Sequence, residues 1–193
     1  MADAVPDRRR QILDAAHTVF LEKGYAGAGI ADIRALSGAS TGSIYHFFDG
    51  KAAIAAALFL EAVEAWGAAT QAARTGDTAE AEIRASVEGL VDWGLARPDQ
   101  FRILDEMRFV EPLIRESADM SRLLDAGAAA ARDTYEARAQ RGAVRALPWP
   151  VAHALILGPA YDYLRAAAAG QADVPPRAAR RLLSDAAWSA VRD

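Results

Sequence analysis

Apolar residues recur three and four positions apart along almost the whole chain, which is the spacing of one face of a helix. After Arg8, for example, Ile12, Ala16, Val19 and Phe20 form one continuous stripe. The alternation of apolar and polar residues that is typical of a strand is not convincing in any segment. The pattern therefore predicts an all-α protein of about nine helices.

Helix-breaking and capping residues divide the start of this pattern into short elements. Gly24 is expected to end the first helix, where a left-handed residue is favoured. A tight turn at Gly38 separates a second short helix from a third, which Ser40 caps and which covers residues 41–48. A long alanine-rich helix then starts near Lys51, and longer helices follow it. This change divides the chain into predicted domains at 7–58 and 59–193.

The segment SGASTGSIYHFFDGK, residues 37–51, places aromatic rings directly after glycine, serine and threonine. On a helical wheel, Ile44, Phe47 and Phe48 fall on one side and are predicted to anchor the helix. The opposite face carries small polar groups and two rings with polar tips: Thr41, Gly42, Ser43, Tyr45 and His46. Two short helices joined by a tight glycine turn, the second with such a face, predict a helix-turn-helix motif at about residues 30–49.

A helix-turn-helix places its second helix in the major groove of DNA and its flanks on phosphates. The polar face of the third helix therefore supplies the candidate DNA contacts. Lys51, in the first turn of the next helix, is a candidate phosphate contact beside free N–H groups. The Arg34 guanidinium reaches either DNA or solvent. The three arginines at 8–10 form either a solvated helix start or a basic arm along the phosphates.

Charge and composition narrow the functional classes. The net charge is −4, and residues 1–51 carry equal numbers of basic and acidic residues, so DNA binding must rest on the local placement of cations. The absence of cysteine excludes disulfides and thiolate chemistry. The histidines at 17, 46 and 153 have no companions at metal-ligand spacing, and no serine lies in a nucleophile elbow. No catalytic residue, metal site or cofactor is predicted.

The chain also lacks an obvious segment for a membrane or for export. Its start has no signal-peptide run, and the apolar stretch at 154–157 is too short to cross a bilayer. These features predict a cytoplasmic protein with no membrane partner.

An ordered set of residues between Arg8 and Leu58 carries a family resemblance. The set consists of Ile12, Ala15, Ala16, Phe20, Gly24, Tyr25, Asp32, Ile33, Gly38, Ser40, Gly42, Tyr45, Phe48 and Lys51. Its order and spacing resemble the DNA-binding domain of the TetR family of transcriptional regulators. There are two departures. Ala28 and Gly29 supply no hydroxyl where the family has Thr or Ser before its second helix, and Arg34 stands where the family often has alanine.

The resemblance implies a homodimeric repressor that leaves its operator DNA when the C-terminal domain binds a small lipophilic or aromatic effector. The candidate pocket residues are Trp66, Trp93, Phe101, Met107, Phe109, Tyr135 and Tyr161. Acidic residues such as Glu61, Asp92 and Glu106 are candidates to orient a polar end of the effector. Small and large residues at helical spacing along the last two helices predict the dimer interface: Ala152, Ile156, Ala160, Tyr163, Leu183 and Ala187.

Two other readings remain open from the residues alone. One is a helical small-molecule-binding protein or enzyme with an appended helix-turn-helix, which the lack of an acid–base or metal constellation argues against. The other is an architectural DNA-binding protein without an effector, which a solid C-terminal core would favour.

Overall fold

The computed structural model describes residues 7–107 and 118–193, and these residues contain nine helices and no strand. The helices are α1 Arg8–Gly27, α2 Ile30–Ser37, α3 Thr41–Phe47, α4 Gly50–Ala73, α5 Ala79–Ala96, α6 Pro98–Met107, α7 Ala118–Gln140, α8 Trp149–Ala168 and α9 Pro176–Val191. The all-α class and its helix-turn-helix start are therefore confirmed.

The described residues form two compact units. The first takes in residues 7–62, 102–107 and 118–121, and the second takes in 63–101 and 122–193. The division lies inside α4, and α6 contributes its C-terminal half to the first unit. The sequence pattern gave no sign of that contribution from α6. The predicted domains at 7–58 and 59–193 stay a prediction.

Helices α1, α2 and α3 pack on one another in the first unit around fully buried side chains such as Ile12, Phe20, Ile33 and Ile44. Gly38 ends α2 in the left-handed region (φ 64°, ψ 10°), where only glycine is free of a Cβ penalty. Two residues later, the Ser40 hydroxyl accepts a hydrogen bond from the Ser43 N–H at 3.1 Å. The tight turn and the cap together fix where α3 begins.

Helices α5, α8 and α9 pack on one another in the second unit. The approach of α4 to α5 is unusually close at Gly89, where a Cβ would lie 2.5 Å from the Thr70 Cα. The two backbones therefore touch at a position that only glycine allows. Side-chain hydrogen bonds add to this packing, because Arg138 on α7 donates to Glu82 on α5, and Arg84 on α5 donates to Asp185 on α9.

One described helix, α4, is long and apolar enough to cross a membrane by length and composition alone. Core helices of soluble proteins pass the same test, and α4 buries Ile54, Leu58 and Phe59 within the first unit.

Candidate nucleic-acid interface and effector site

The predicted reading face of α3 lies on the surface of the first unit. Ile44 and Phe48 are buried and hold the helix in place. The candidate DNA contacts Thr41, Gly42, Tyr45 and His46 are exposed, and Ser43 is half-buried. Tyr45 stands out because 56 % of its large ring is solvent-accessible. The structure therefore brings these residues together on one free face, and their contact with DNA stays a prediction.

Phe47 does not anchor α3, contrary to the helical-wheel prediction. It is 37 % exposed and packs edge-on against the His46 ring, with 4.9 Å between the centroids. The reason is local: α3 ends at Phe47, and Phe48 is extended (φ −142°, ψ 130°). A helical wheel assumes helical geometry through Phe47 and Phe48. Because Phe48 is extended, only its ring points into the core, and the Phe47 ring stays on the surface.

Asp32 supplies the cap of α2 that the Ala28–Gly29 sequence lacks. Its carboxylate accepts a hydrogen bond from the Gly29 N–H at 3.0 Å and pairs with the Lys23 ammonium at 2.7 Å. The hydrogen bond from Lys23, followed by that from Gly29, lowers the pKa of the Asp32 carboxyl below its ordinary value. The Gly29 N–H at the start of α2 is thus hydrogen-bonded within the chain, without a hydroxyl group.

Lys51 is held inside the first unit. Its ammonium donates to the carbonyls of Tyr25 and Ala28, at 2.7 and 2.9 Å, and lies 4.3 Å from the centroid of the Tyr25 ring. A lysine ammonium has three donors, so two are engaged before any DNA arrives. Lys51 therefore fastens the segment before α2 to the start of α4, and a phosphate contact would use its remaining donor.

The N-terminal arginines differ from one another. Arg10 pairs with Asp14 and, at 2.8 Å, with Glu61 on α4. The hydrogen bonds that its guanidinium donates to Glu61 and then to Asp14 raise the pKa of Arg10 above its ordinary value. Arg9 lies over the Phe48 ring at 5.1 Å. Arg10 is thus an internal bridge rather than part of a free basic arm, while Arg34 lies exposed on α2.

Comparison with known proteins agrees with this geometry. Residues 12–58, which run from the core of α1 into α4, match the family model described as bacterial regulatory proteins of the tetR family. A curated HTH-type transcriptional repressor of Mycobacterium tuberculosis, Rv1474c, is 35 % identical over 123 residues. The family match identifies residues 12–58 as a TetR-type DNA-binding domain. The match to the repressor covers 62 % of this chain and 58 % of the relative.

Solved structures extend the likeness to the fold of the whole chain. A TetR family regulator from Marinobacter aquaeolei has a TM-score of 0.80 at 20 % identity, with 96 % of each chain covered. The regulator FadR from Bacillus subtilis, solved in complex with stearoyl-CoA, has a TM-score of 0.72 at 16 % identity and covers 92 % of this chain and 96 % of its own. At such identities the likeness shows the fold alone.

Four of the predicted pocket residues form one aromatic cluster in the second unit. Trp66 stacks edge-on against Tyr161 at 6.5 Å between centroids, Tyr161 lies 5.8 Å from Phe101, and Phe101 lies 6.5 Å from Trp93. The cluster draws its rings from α4, α5, α6 and α8. Sequence reasoning named these rings but had no means of pairing them.

Three polar atoms in the helices of this cluster are buried and have no hydrogen-bond partner. They are the indole Nε1 atoms of Trp66 and Trp93 and the side-chain oxygen of Gln100, which precedes Phe101 on α6. Buried polar groups are normally hydrogen-bonded, and each unmet group costs free energy. The rings of the cluster therefore offer two indole N–H donors to a molecule that could reach them. Within residues 7–107 and 118–193, no group of His, Asp and Glu side chains is placed to hold a metal ion.

The other predicted pocket residues lie elsewhere. Tyr135 pairs with the Trp149 ring at 5.9 Å, and its hydroxyl donates to the Arg145 carbonyl at 2.8 Å. Burial raises the pKa of this phenol. Met107 is buried in the first unit, and Phe109 lies outside the described residues.

The acidic candidates are engaged as well. Glu61 pairs with Arg10, Asp92 pairs with Arg180 at 2.8 Å, and Glu106 accepts a hydrogen bond from the Tyr25 N–H. These carboxylates hold helices together, so the interpretation that they orient an effector is not supported by their contacts.

The residues of the predicted dimer interface are mostly covered by the chain itself, and their contact with a second copy stays a prediction. Ala152, Ile156, Ala160 and Ala187 are buried within the single chain, and Tyr163 and Leu183 are half-buried. The physical reason is that α8 packs against both α5 and α9, so its small-residue stripe faces the chain's own core. The exposed apolar residues of the same two helices are Val151, Leu155 and Leu182.

Proposed function

We propose that this protein is a sequence-specific transcriptional repressor that acts in the cytoplasm and binds operator DNA as a homodimer. The observation that carries the proposal is the exposed face of α3 behind the Gly38 turn. Small residues at the start of the helix let its backbone approach base edges, and Tyr45 adds a ring with a hydrogen-bonding tip. The printed name of the Mycobacterium relative supports repression as the direction of control.

Selection of bound fragments from a random-sequence DNA pool tests this reading of α3. The wild-type protein should enrich a two-fold symmetric sequence with half-sites about one helical turn apart. Ser43→Ala and Tyr45→Ala should change the enriched bases. Glu22→Ala on the exposed end of α1 is the matched control and should leave the sequence unchanged. Enrichment of the same sequence by all four proteins would mean that α3 does not read DNA.

The homodimer is proposed through the exposed apolar residues of α8 and α9. Val151 and Leu155 are four residues apart and therefore share one face of α8, and Leu182 is exposed on α9. Two copies related by a two-fold axis would bury this patch in an isologous four-helix contact. Such pairing also gives the operator its symmetry.

The effector is proposed to bind at the aromatic cluster of Trp66, Trp93, Phe101 and Tyr161. Ligand sites are typically apolar with a few placed polar groups. The two indole N–H groups favour a lipophilic or aromatic molecule that carries a hydrogen-bond acceptor. The stearoyl-CoA bound by the Bacillus subtilis FadR supports acyl thioesters as a first class to test.

Tryptophan fluorescence provides the measurement for the effector site. Stearoyl-CoA and simple aromatic acids should be titrated into the wild-type protein and into Trp93→Phe, which keeps an aromatic ring but removes the indole N–H. A true effector should quench fluorescence and weaken DNA binding, with a coupling of about 1–3 kcal/mol. A compound that quenches without changing DNA affinity would show that the site is not the sensor.

A further inference from the structure

The hydrogen-bond ladder of α1 is interrupted near its C-terminal end. Gly24 has φ 68° and ψ 165°, values that are open essentially to glycine alone. In a regular helix, the Tyr25 N–H would donate to the Leu21 carbonyl. The ψ of Gly24 instead turns the Tyr25 amide away from the helix, and α1 resumes for only three more residues.

Both halves of the interrupted hydrogen bond are completed by α6. The Tyr25 N–H donates to the Glu106 carboxylate, with 2.6 Å between nitrogen and Oε1. The Leu21 carbonyl accepts from the Arg102 guanidinium at 3.2 Å. Arg102 and Glu106 are four residues apart, so they project from the same face of α6. Helix α6 thus supplies a hydrogen-bond partner for each of the two backbone groups that the break in α1 has separated.

The same break leads directly into the DNA-binding motif. Tyr25 is tied to Glu106 by its N–H and to Lys51 by its carbonyl, and Lys51 also holds the Ala28 carbonyl. Residue 28 immediately precedes Gly29, the N-cap of α2. The segment 24–28 is therefore fastened by α6 on one side and by the start of α4 on the other.

We propose that Arg102 and Glu106 are positioning residues that clasp the broken end of α1 and thereby hold α2 and α3 in the arrangement that binds DNA. This proposal rests on the proposed DNA-binding function and adds to it two residues of α6. Neither residue needs to touch DNA. The clasp acts on the segment that leads into α2, and through Lys51 on the start of α4.

Substitution of Glu106 is a decisive test, because the loss of its charge and the loss of the clasp should change DNA affinity in opposite directions. Removing a carboxylate from a DNA-binding unit reduces its repulsion of phosphates and should raise its affinity for DNA. Loss of the clasp should lower the affinity. Glu22→Ala removes one carboxylate from the exposed end of α1 and is the matched control. Glu106→Gln keeps an acceptor oxygen and should rescue most of the clasp.

Amide hydrogen exchange provides the first measurement. In Glu106→Ala, exchange of the Tyr25 amide should accelerate at least about tenfold, since a hydrogen bond to a charged group is lost. The rate should stay close to wild type in Glu106→Gln and in Glu22→Ala. An unchanged rate in Glu106→Ala would overturn the proposal without any reference to DNA.

Binding to the selected DNA sequence provides the second measurement. Glu106→Ala and Arg102→Ala should each weaken binding about fivefold to tenfold, and the loss in the double variant should be smaller than the sum of the two single losses, because both side chains hold the same end of α1. The salt dependence of Glu106→Ala should match wild type, since no phosphate contact is removed. If Glu106→Ala binds DNA as tightly as the wild type, or if the losses in the double variant are additive, the proposed clasp is wrong. Those results would leave the proposed DNA-binding function standing. A wild-type protein that enriches no DNA sequence would overturn the proposed function itself.

Discussion

The two compact units differ in what they leave exposed. The first exposes the polar face of α3, and its charged groups largely bind its own backbone and caps, as Lys51 and Asp32 do. The second exposes Leu155 and Leu182 on α8 and α9, where the first exposes Leu36, and it buries the unmet indole N–H groups of Trp66 and Trp93, where the first buries the unmet His17 Nε2. A polar surface suits the reading of DNA in water, whereas an exposed apolar patch suits a second copy of the chain.

The units also differ in tryptophan content, so changes in each can be distinguished by spectroscopy in solution. All four tryptophans, at 66, 93, 149 and 188, belong to the second unit. Tryptophan fluorescence therefore reports on the second unit, while far-ultraviolet circular dichroism reports on the helices of both. A variant that perturbs one unit alone should shift these two signals differently.

The largest expected effect concerns the exposed leucines. Leu182→Glu should convert the dimer to a monomer at micromolar concentration, because an unpaired charge in an interface costs several kcal/mol. Leu36→Glu is the matched control, since Leu36 on α2 is 54 % exposed and Leu182 is 55 % exposed. Light scattering should report a halved mass for the first variant only. Equal masses for both variants would show that Leu182 on α9 is not part of the dimer contact.

The next effect tests the close approach of α4 and α5. Gly89→Ala should destabilise the protein by about 1–3 kcal/mol, because the new methyl group would overlap the Thr70 backbone. Gly67→Ala on α4 is the control, because its Cβ would meet nothing within 4 Å and should stabilise the helix by up to about 1 kcal/mol. Denaturant unfolding followed by tryptophan fluorescence measures both changes. A Gly89→Ala variant as stable as wild type would mean that the two helices separate without cost.

The two units also differ in how far the sequence reveals them. The Gly38 turn and the Ser40 cap are predictable because their causes lie within three residues of their effects. The clasp of Glu106 on Tyr25 joins residues 81 positions apart, and no local pattern indicates it. Ala160 was predicted to contact a second copy of the chain. The apolar stripe that contains it shows that this face of α8 is covered, but it does not show what covers it. Whether the chain or a second copy covers it depends on the packing of α8 against α5 and α9.

A third prediction separates two roles of Lys51. Lys51→Met removes the ammonium that holds the Tyr25 and Ala28 carbonyls, and should cost about 1–3 kcal/mol of stability. The fluorescence transition of the second unit should change less than the dichroism transition. If the third donor also binds a phosphate, the slope of log affinity against log salt should fall by about one. An unchanged slope with weaker binding would assign Lys51 to the fold alone.

The smallest expected effect is the pH dependence from Asp32. Because its pKa is lowered in the folded protein by Lys23 and by the Gly29 N–H, the ionised carboxyl stabilises the fold above its ordinary pKa of about 3.9. That stabilisation is lost as pH falls through the lowered value. Asp32→Asn should therefore lower the melting temperature near neutral pH, and the difference from wild type should shrink as the solution is acidified.

The control for this prediction is Asp49→Asn, which removes an exposed carboxylate from the same unit. Its difference from wild type should be smaller near neutral pH than that of Asp32→Asn. Because the Lys23–Asp32 pair is partly exposed, added salt should weaken its share of the effect. The asparagine side chain keeps an oxygen that can accept the hydrogen bond from the Gly29 N–H, so little difference from wild type should remain at high salt. A difference that added salt leaves unchanged would show that the charge pair with Lys23 does not carry the effect.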